Sequence, residues 1–309
     1  MSATTHTPHP QTSTSPITIT RIAVGVDGRA EGNDAVVLGA TLAGAMDADL
    51  MLIGVYPDPL LVLPEEVDEK RLASHETHTL EEARDSFAPG AGLAVEAELS
   101  VPRGLERVVR REHRDLLVVG SSRHAREGRV RIGKRTRQLL GEIKCPLAIA
   151  SRGLHADPDR GLRRIGVGYD GTPEADVALG LAGSIALAAG AELKVMAVVD
   201  DRLPPIGWSA LARGGAAVPI WEEAVLAEMD SLRELVASAT APLEDRGEVE
   251  VRRGRPAEAL LKLSAGVDLL VIGSRRWGAV ARLLLGSTGE ALAHDAACPL
   301  LVAPRPDRT

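Results

Sequence analysis

The chain has 309 residues, 45% hydrophobic and 26% charged, with a formal net charge of −7. Such a length predicts about two domains with full cores. The acidic balance excludes the basic footprint of a dedicated nucleic-acid binder, and aromatics limited to Phe87, Tyr56, Tyr169, Trp208, Trp221 and Trp277 exclude a platform for stacked bases.

In chain order, residues 1–16 (MSATTHTPHPQTSTSP) carry no lysine, arginine or apolar core. They read as a disordered tail and not as a signal peptide. The first domain, 17–150, opens on a strand with Ile17 and Ile19 at its leading edge and 21–26 as its body. Helix 30–46, strand 50–55, loop 57–64, helix 65–87, strand 93–99, helix 105–113 and strand 116–119 follow, then a glycine- and arginine-rich loop, helix 134–142 and strand 147–150. A polar linker, 151–162 (SRGLHADPDRGL), separates the domains. The second domain, 163–304, repeats the order: strand 164–169, helix 174–189, strand 192–199, a long connection 200–218, helix 220–239, strand 248–251, helix 256–265, strand 269–272, helix 287–294 and strand 300–302. Strands alternating with helices imply parallel pairing through helical crossovers. The fold class is α/β, two tandem open parallel five-stranded sheets with helices on both faces. No run of about 18 apolar residues predicts a membrane span, and the expected location is cytoplasmic.

The most informative stretch is 271–288 (VIGSRRWGAVARLLLGST). It leaves a buried strand at Gly273-Ser274, crosses a basic connection and meets Gly286-Ser287 where a helix begins. Glycine lets backbone approach an anion, and the first turn of a helix offers unpaired N–H groups. The stretch 120–134 (GSSRHAREGRVRIGK) repeats the layout at an offset of 153 residues, matching Gly120 to Gly273, Arg123 to Arg276 and Gly133 to Gly286, with Lys134 in place of Ser287. Gly273, two residues, Arg276, nine residues, Gly286-Ser287 resembles the glycine-2-glycine-9-glycine-serine signature of the universal stress protein family, with Arg276 at the middle glycine. The likeness extends over nearly the whole chain as a tandem of two such domains.

The resemblance implies a stress-response protein that binds an adenine nucleotide, ATP with Mg2+. The sequence offers no nucleophile elbow, no HExxH and no carboxylate cluster set against a base, so no catalytic residues are expected. Carried over by position, the second-half site comprises Asp170, Gly171, Thr172, Val198, Ile272, Gly273, Arg276, Gly286, Ser287 and Thr288. A weaker first-half site comprises Asp27, Gly28, Val55, Val119, Gly120, Arg123, Gly133 and Lys134. The resemblance also implies association through the edge segments 146–150 and 299–303, either across the two halves as an internal pseudo-dimer or between copies as a homodimer, with an unidentified protein as partner.

Each element also has a plainer reading. A strand-end aspartate commonly caps the next helix. The cations Arg123, Arg126, Arg129, Arg131, Lys134, Arg135 and Arg137 read more readily as a solvated face than as an anion site. Gly128 to Lys134 imitates a Walker A loop by coincidence, with Arg135 where the magnesium-binding hydroxyl belongs. Cys145 and Cys298, each before a proline, are expected to be buried packing residues. His75 and His78, three apart on a helix without a third ligand, are expected at the surface. Trp277 is expected to pack against the other domain. The alternative to nucleotide binding is a stress scaffold in which Arg123 and Arg276 fill the phosphate sites, and a slow ATPase is the third reading.

Overall fold

The computed structural model of the chain describes residues 18–57, 69–201, 217–243, 247–274 and 285–304. The tail 1–16, Ile17, Arg276 and Trp277 lie outside the described residues. The first half runs β1 (Arg21–Val26), α1 (Ala30–Met46), β2 (Asp49–Tyr56), α2 (Glu69–Phe87), β3 (Gly92–Ala97), α3 (Val101–Arg111), β4 (Leu116–Val119), α4 (Lys134–Leu140) and β5 (Leu147–Ile149). The second runs β6 (Arg164–Tyr169), α5 (Pro173–Ala189), β7 (Glu192–Asp200), α6 (Ala217–Thr240), β8 (Gly247–Gly254), α7 (Pro256–Ser264), β9 (Leu269–Gly273), α8 (Ser287–Asp295) and β10 (Leu300–Ala303). The element types agree with the sequence reading, with ends shifted by a few residues. The largest shifts within the described residues are at α3, which starts four residues early with Pro102 in its first turn, and, at three residues each, at the start of α6 and the end of β8.

Within each half the strands are parallel, and the described strands form one sheet in the order β3-β2-β1-β4-β5-β10-β9-β6-β7-β8. The expected pair of five-stranded sheets is therefore fused, because β5 and β10 pair antiparallel through Leu300–Ile149, Leu301–Ala148 and Val302–Leu147. Edge strands expose unpaired backbone donors and acceptors, and this pairing satisfies two of them at once. The central strands Leu116–Val119 and Leu300–Ala303 are buried at every position, as parallel strands covered on both faces must be.

One core layer joins Ile22, Val24 and Leu38 of the first half to Leu179, Ile185 and Val236 of the second. The other joins Ile53, Leu105 and Leu139 to Leu260, Leu270 and Leu292. Neither core stops at the boundary between halves, so the packing is continuous across the molecule. The linker is also held down. A 3-10 turn, Leu154–Ala156, docks on α1, where the fully buried carboxylate of Asp34 accepts from the Gly153 and His155 amides, each at 2.9 Å, and meets His155 Nδ1 at 2.6 Å.

Candidate functional site

Strand order reverses in each half between the first strand and the fourth, β1 beside β4 and β6 beside β9, and ligands of open parallel sheets sit at the carboxyl ends flanking such a reversal. At the end of β1, Asp27 Oδ1 accepts from the Arg29 amide at 3.2 Å, and Gly28 has φ +68°. At the end of β6, Asp170 Oδ1 accepts from the Thr172 amide at 3.3 Å and its hydroxyl at 2.6 Å, and Gly171 has φ +73°. The left-handed backbone is what demands glycine at both positions. Neither aspartate caps a helix. Thr172 does so for α5, accepting from the Ala175 amide at 3.2 Å, while Arg29 at the equivalent place supplies no side-chain cap.

Gly120 and Gly273, expected to admit an anion, first of all admit a helix. A Cβ on Gly120 would lie 2.0 Å from the Glu31 carbonyl oxygen in the first turn of α1, and one on Gly273 would lie 2.7 Å from the Glu174 carbonyl in the first turn of α5. The fourth strand of each half thus ends in backbone contact with the helix that follows the first.

In the first half these ends enclose a cleft of about 320 Å³. Of the predicted residues, Asp27, Val55, Val119 and Gly120 line it; Gly28, Arg123, Gly133 and Lys134 are not among its lining residues. Glu31, Glu76, Leu105, Arg135 and Thr136 line it as well, unanticipated from the sequence. Glu76 left one trace there, a glycine interrupting the apolar run of β2. A Cβ on Gly54 would lie 2.7 Å from Glu76 Oε1. Burial pushes the Glu76 carboxyl above its ordinary pKa, His75 opposes the shift and the neighbouring Asp27 charge adds to it.

The second-half residues Asp170, Gly171, Thr172, Val198, Ile272 and Gly273 stand at the corresponding strand ends. Gly286 is the N-cap residue of α8, whose first turn holds Ser287 and Thr288.

Most of the basic run of the first-half loop is exposed, as a solvated face would be, but three of its cations reach across to the second half. Arg126 pairs with Asp295 Oδ1 at 2.6 Å and Arg129 donates to the Asp295 carbonyl at 3.0 Å, so both serve the C-terminus of α8, where cations are favourable. Arg137 makes a two-pronged pair with Glu290, one branch at 2.9 Å. The Val130 and Ile132 amides donate across to the Ala296 and Ala293 carbonyls at 2.8 and 2.9 Å. Burial pushes the thiols of Cys145 and Cys298 up to about 12, which keeps them protonated and unreactive at neutral pH. His78 is exposed and pairs with Glu82 at 3.2 Å. Among the described residues, no group of three or more His, Cys, Asp or Glu is arranged to hold a metal, and no helix is long and apolar enough to cross a membrane.

A family profile described as the universal stress protein family matches residues 18–151 and again 161–304. Universal stress protein Rv2005c of Mycobacterium tuberculosis is 28% identical over 307 residues, covering 91% of this chain and 96% of the relative. A universal stress protein of Thermus aquaticus is 34% identical over 140 residues, covering 43% of this chain and 93% of its own. Among solved structures, a universal stress protein from Archaeoglobus fulgidus superposes with a TM-score of 0.61 at 18% identity, covering 93% of this chain and 98% of that one.

Proposed function

The chain belongs to the universal stress protein family, and on that premise we propose that it is a cytoplasmic stress-response protein that binds an adenine nucleotide, ATP with Mg2+, chiefly in its second half. The observation that carries this reading is the repetition of one strand-end geometry in both halves. An aspartate turn with a left-handed glycine stands beside a glycine packed on the first helix. Where the surrounding residues are described, this geometry encloses a cleft whose 320 Å³ falls at the lower end of the range for small-molecule sites.

The residues fit such a ligand. Asp170 offers a carboxylate to sugar hydroxyls, Val198 an apolar contact to a base, and the opening of the nine-residue α8 offers unpaired N–H groups with the Ser287 and Thr288 hydroxyls for phosphate. Bound ATP would supply a state-dependent charge and shape for a protein partner to read.

Thermal unfolding with Mg-ATP tests the reading. Nucleotide at a hundred times its Kd stabilises by about 2.7 kcal/mol, and Ser287→Ala should reduce that shift. An unfolding curve unmoved by millimolar ATP rejects the proposal.

A second reading, a nucleotide-independent scaffold, draws on the diversion of Arg126, Arg129 and Arg137 to the second half. Acid release of nucleotide from freshly purified protein separates the two: a stoichiometric adenine compound favours the first, and none favours the scaffold.

A further inference from the structure

We propose that the first-half cleft takes a nucleoside bearing at most one phosphate and discriminates against the triphosphate, because the loop that would cradle the outer phosphates is strapped to the second half. The inference rests on the reading that these strand-end clefts take adenine nucleotides.

A phosphate-cradling loop works through backbone N–H groups that are free to turn toward the anion. In the first half most of the amides between residues 122 and 132 already have partners. The amides of Ser122, Ala125, Gly128 and Arg129 donate to carbonyls within the loop or to Arg152, and those of Val130 and Ile132 donate to the second half. The loop cations follow the same course, with Arg126 and Arg129 on Asp295 and Arg137 on Glu290. To greet a triphosphate the loop would have to give up these bonds and uncap the C-terminus of α8.

The charge of the cleft agrees. Its described lining holds three carboxyl groups, Asp27, Glu31 and Glu76, against two guanidinium groups, Arg29 and Arg135. A polyanion would add to a site that is already short of positive charge, and Glu76 is already held above its ordinary pKa by burial and by Asp27. Arg135 has no ion pair among the described residues and stands at the loop side of the cleft. One guanidinium matches one phosphate. The carboxylates suit sugar hydroxyls, and Val55 and Leu105 suit the face of a base. The second-half site differs in its helix, since α8 opens on hydroxyls and runs nine residues, where α4 opens on Lys134 and runs seven.

Calorimetric titration of the full chain with adenosine, AMP and Mg-ATP tests the assignment. Adenosine or AMP should bind a site that Asp27→Ala weakens at least tenfold while leaving ATP affinity within about twofold. Val55→Trp, which fills the cleft from its apolar wall, should do the same and serves if the Asp27 turn proves necessary for folding. Cutting the strap with Arg126→Ala and Arg129→Ala together should narrow the preference for AMP over ATP. ATP that displaces AMP from the first-half cleft with equal or better affinity overturns the inference. ATP binding that is lost in Ser287→Ala, with adenosine and AMP binding nowhere, overturns it and spares the nucleotide reading. Failure of all three ligands to bind brings down both.

Discussion

The two halves carry the same elements, yet where they meet they are complementary instead of identical. The offset of 153 residues that relates Gly120 to Gly273 also relates Arg137 to Glu290 and Ala148 to Leu301. Both of these pairs touch each other across the sheet's centre. A residue that meets its own equivalent lies on the axis of a two-fold arrangement. In a dimer of identical chains that position would place like against like, arginine on arginine or leucine on leucine. Joining the halves in one chain removed that constraint. One copy took the cation and the small residue, and the other took the anion and the large one. A second copy of the same half would set arginine on arginine or glutamate on glutamate at that position, a like-charge contact that the joined halves avoid.

The largest expected effect tests what the halves still share. Gly120→Ala places a methyl 2.0 Å from the Glu31 carbonyl oxygen, a backbone clash that no rotamer relieves. It should cost more than about 3 kcal/mol by denaturant unfolding, above the usual range for overpacking. Gly273→Ala, with 2.7 Å to Glu174, should cost less. Equal costs would show that the close approach of strand and helix is not what fixes glycine there.

Next comes a feature that only the first half possesses. Asp34 is fully buried with three donors around it, and its counterpart in α5, at the offset of 143 that relates Asp27 to Asp170, is Val177. Asp34→Ala leaves the Gly153 and His155 amides without an acceptor and should lower stability by about 2–3 kcal/mol. Asp34→Asn keeps one acceptor oxygen and should cost less. Limited proteolysis should cut the linker of the alanine variant faster than that of the wild type. An uncut linker would mean that its docking depends on the core and not on this carboxylate.

Much of the fold was legible because parallel strands buried on both faces read as uninterrupted apolar runs, such as Leu116–Val119 and Leu269–Ile272, and because the repeat supplied each element twice. The strand-end half of the site was legible for the same reason, with Asp27, Val55, Val119 and Gly120 meeting in one cleft. What remained hidden depended on partners remote in sequence. The basic run could not be read as a strap while its acceptors, Asp295 and the carbonyls of Ala293 and Ala296, stood more than 150 residues away. The docking of the linker was hidden for the same reason, since the Gly153 and His155 amides and the His155 ring answer Asp34, which sits unremarked inside a helix. Asp115 and Asp268 were equally silent, although each accepts from the amides that open the first strand of its half. Short-range periodicity records which face is buried; it does not record which buried polar group meets which.

The charge pair at the axis gives a smaller effect with a sharper outcome. Arg137 and Glu290 are both partly exposed, so their coupling in a double-mutant cycle should be about 0.5–1 kcal/mol and should fall as salt is raised. Arg137→Glu alone creates a like-charge contact and should destabilise more than Arg137→Ala. The exchange Arg137→Glu with Glu290→Arg should recover most of the loss. No recovery would mean that the two positions are shaped by their surroundings and not by each other's charge.

The smallest effect distinguishes the cleft from its frame. A carboxyl raised above its unfolded pKa contributes stability that is fully present below the unfolded value and is lost as pH rises through the folded one. Glu76, raised chiefly by burial, therefore weighs against the native state at neutral pH. Glu76→Gln should be slightly more stable than the wild type at pH 7, by less than the Arg137–Glu290 coupling. The difference should vanish as pH falls below about 4, where the unfolded-state glutamate is protonated as well. Thermal unfolding across that range reads it directly. A variant that is less stable at pH 7 would mean that the Glu76 charge is held by a favourable partner, and would remove the electrostatic ground on which the first-half cleft is distinguished from a polyphosphate site.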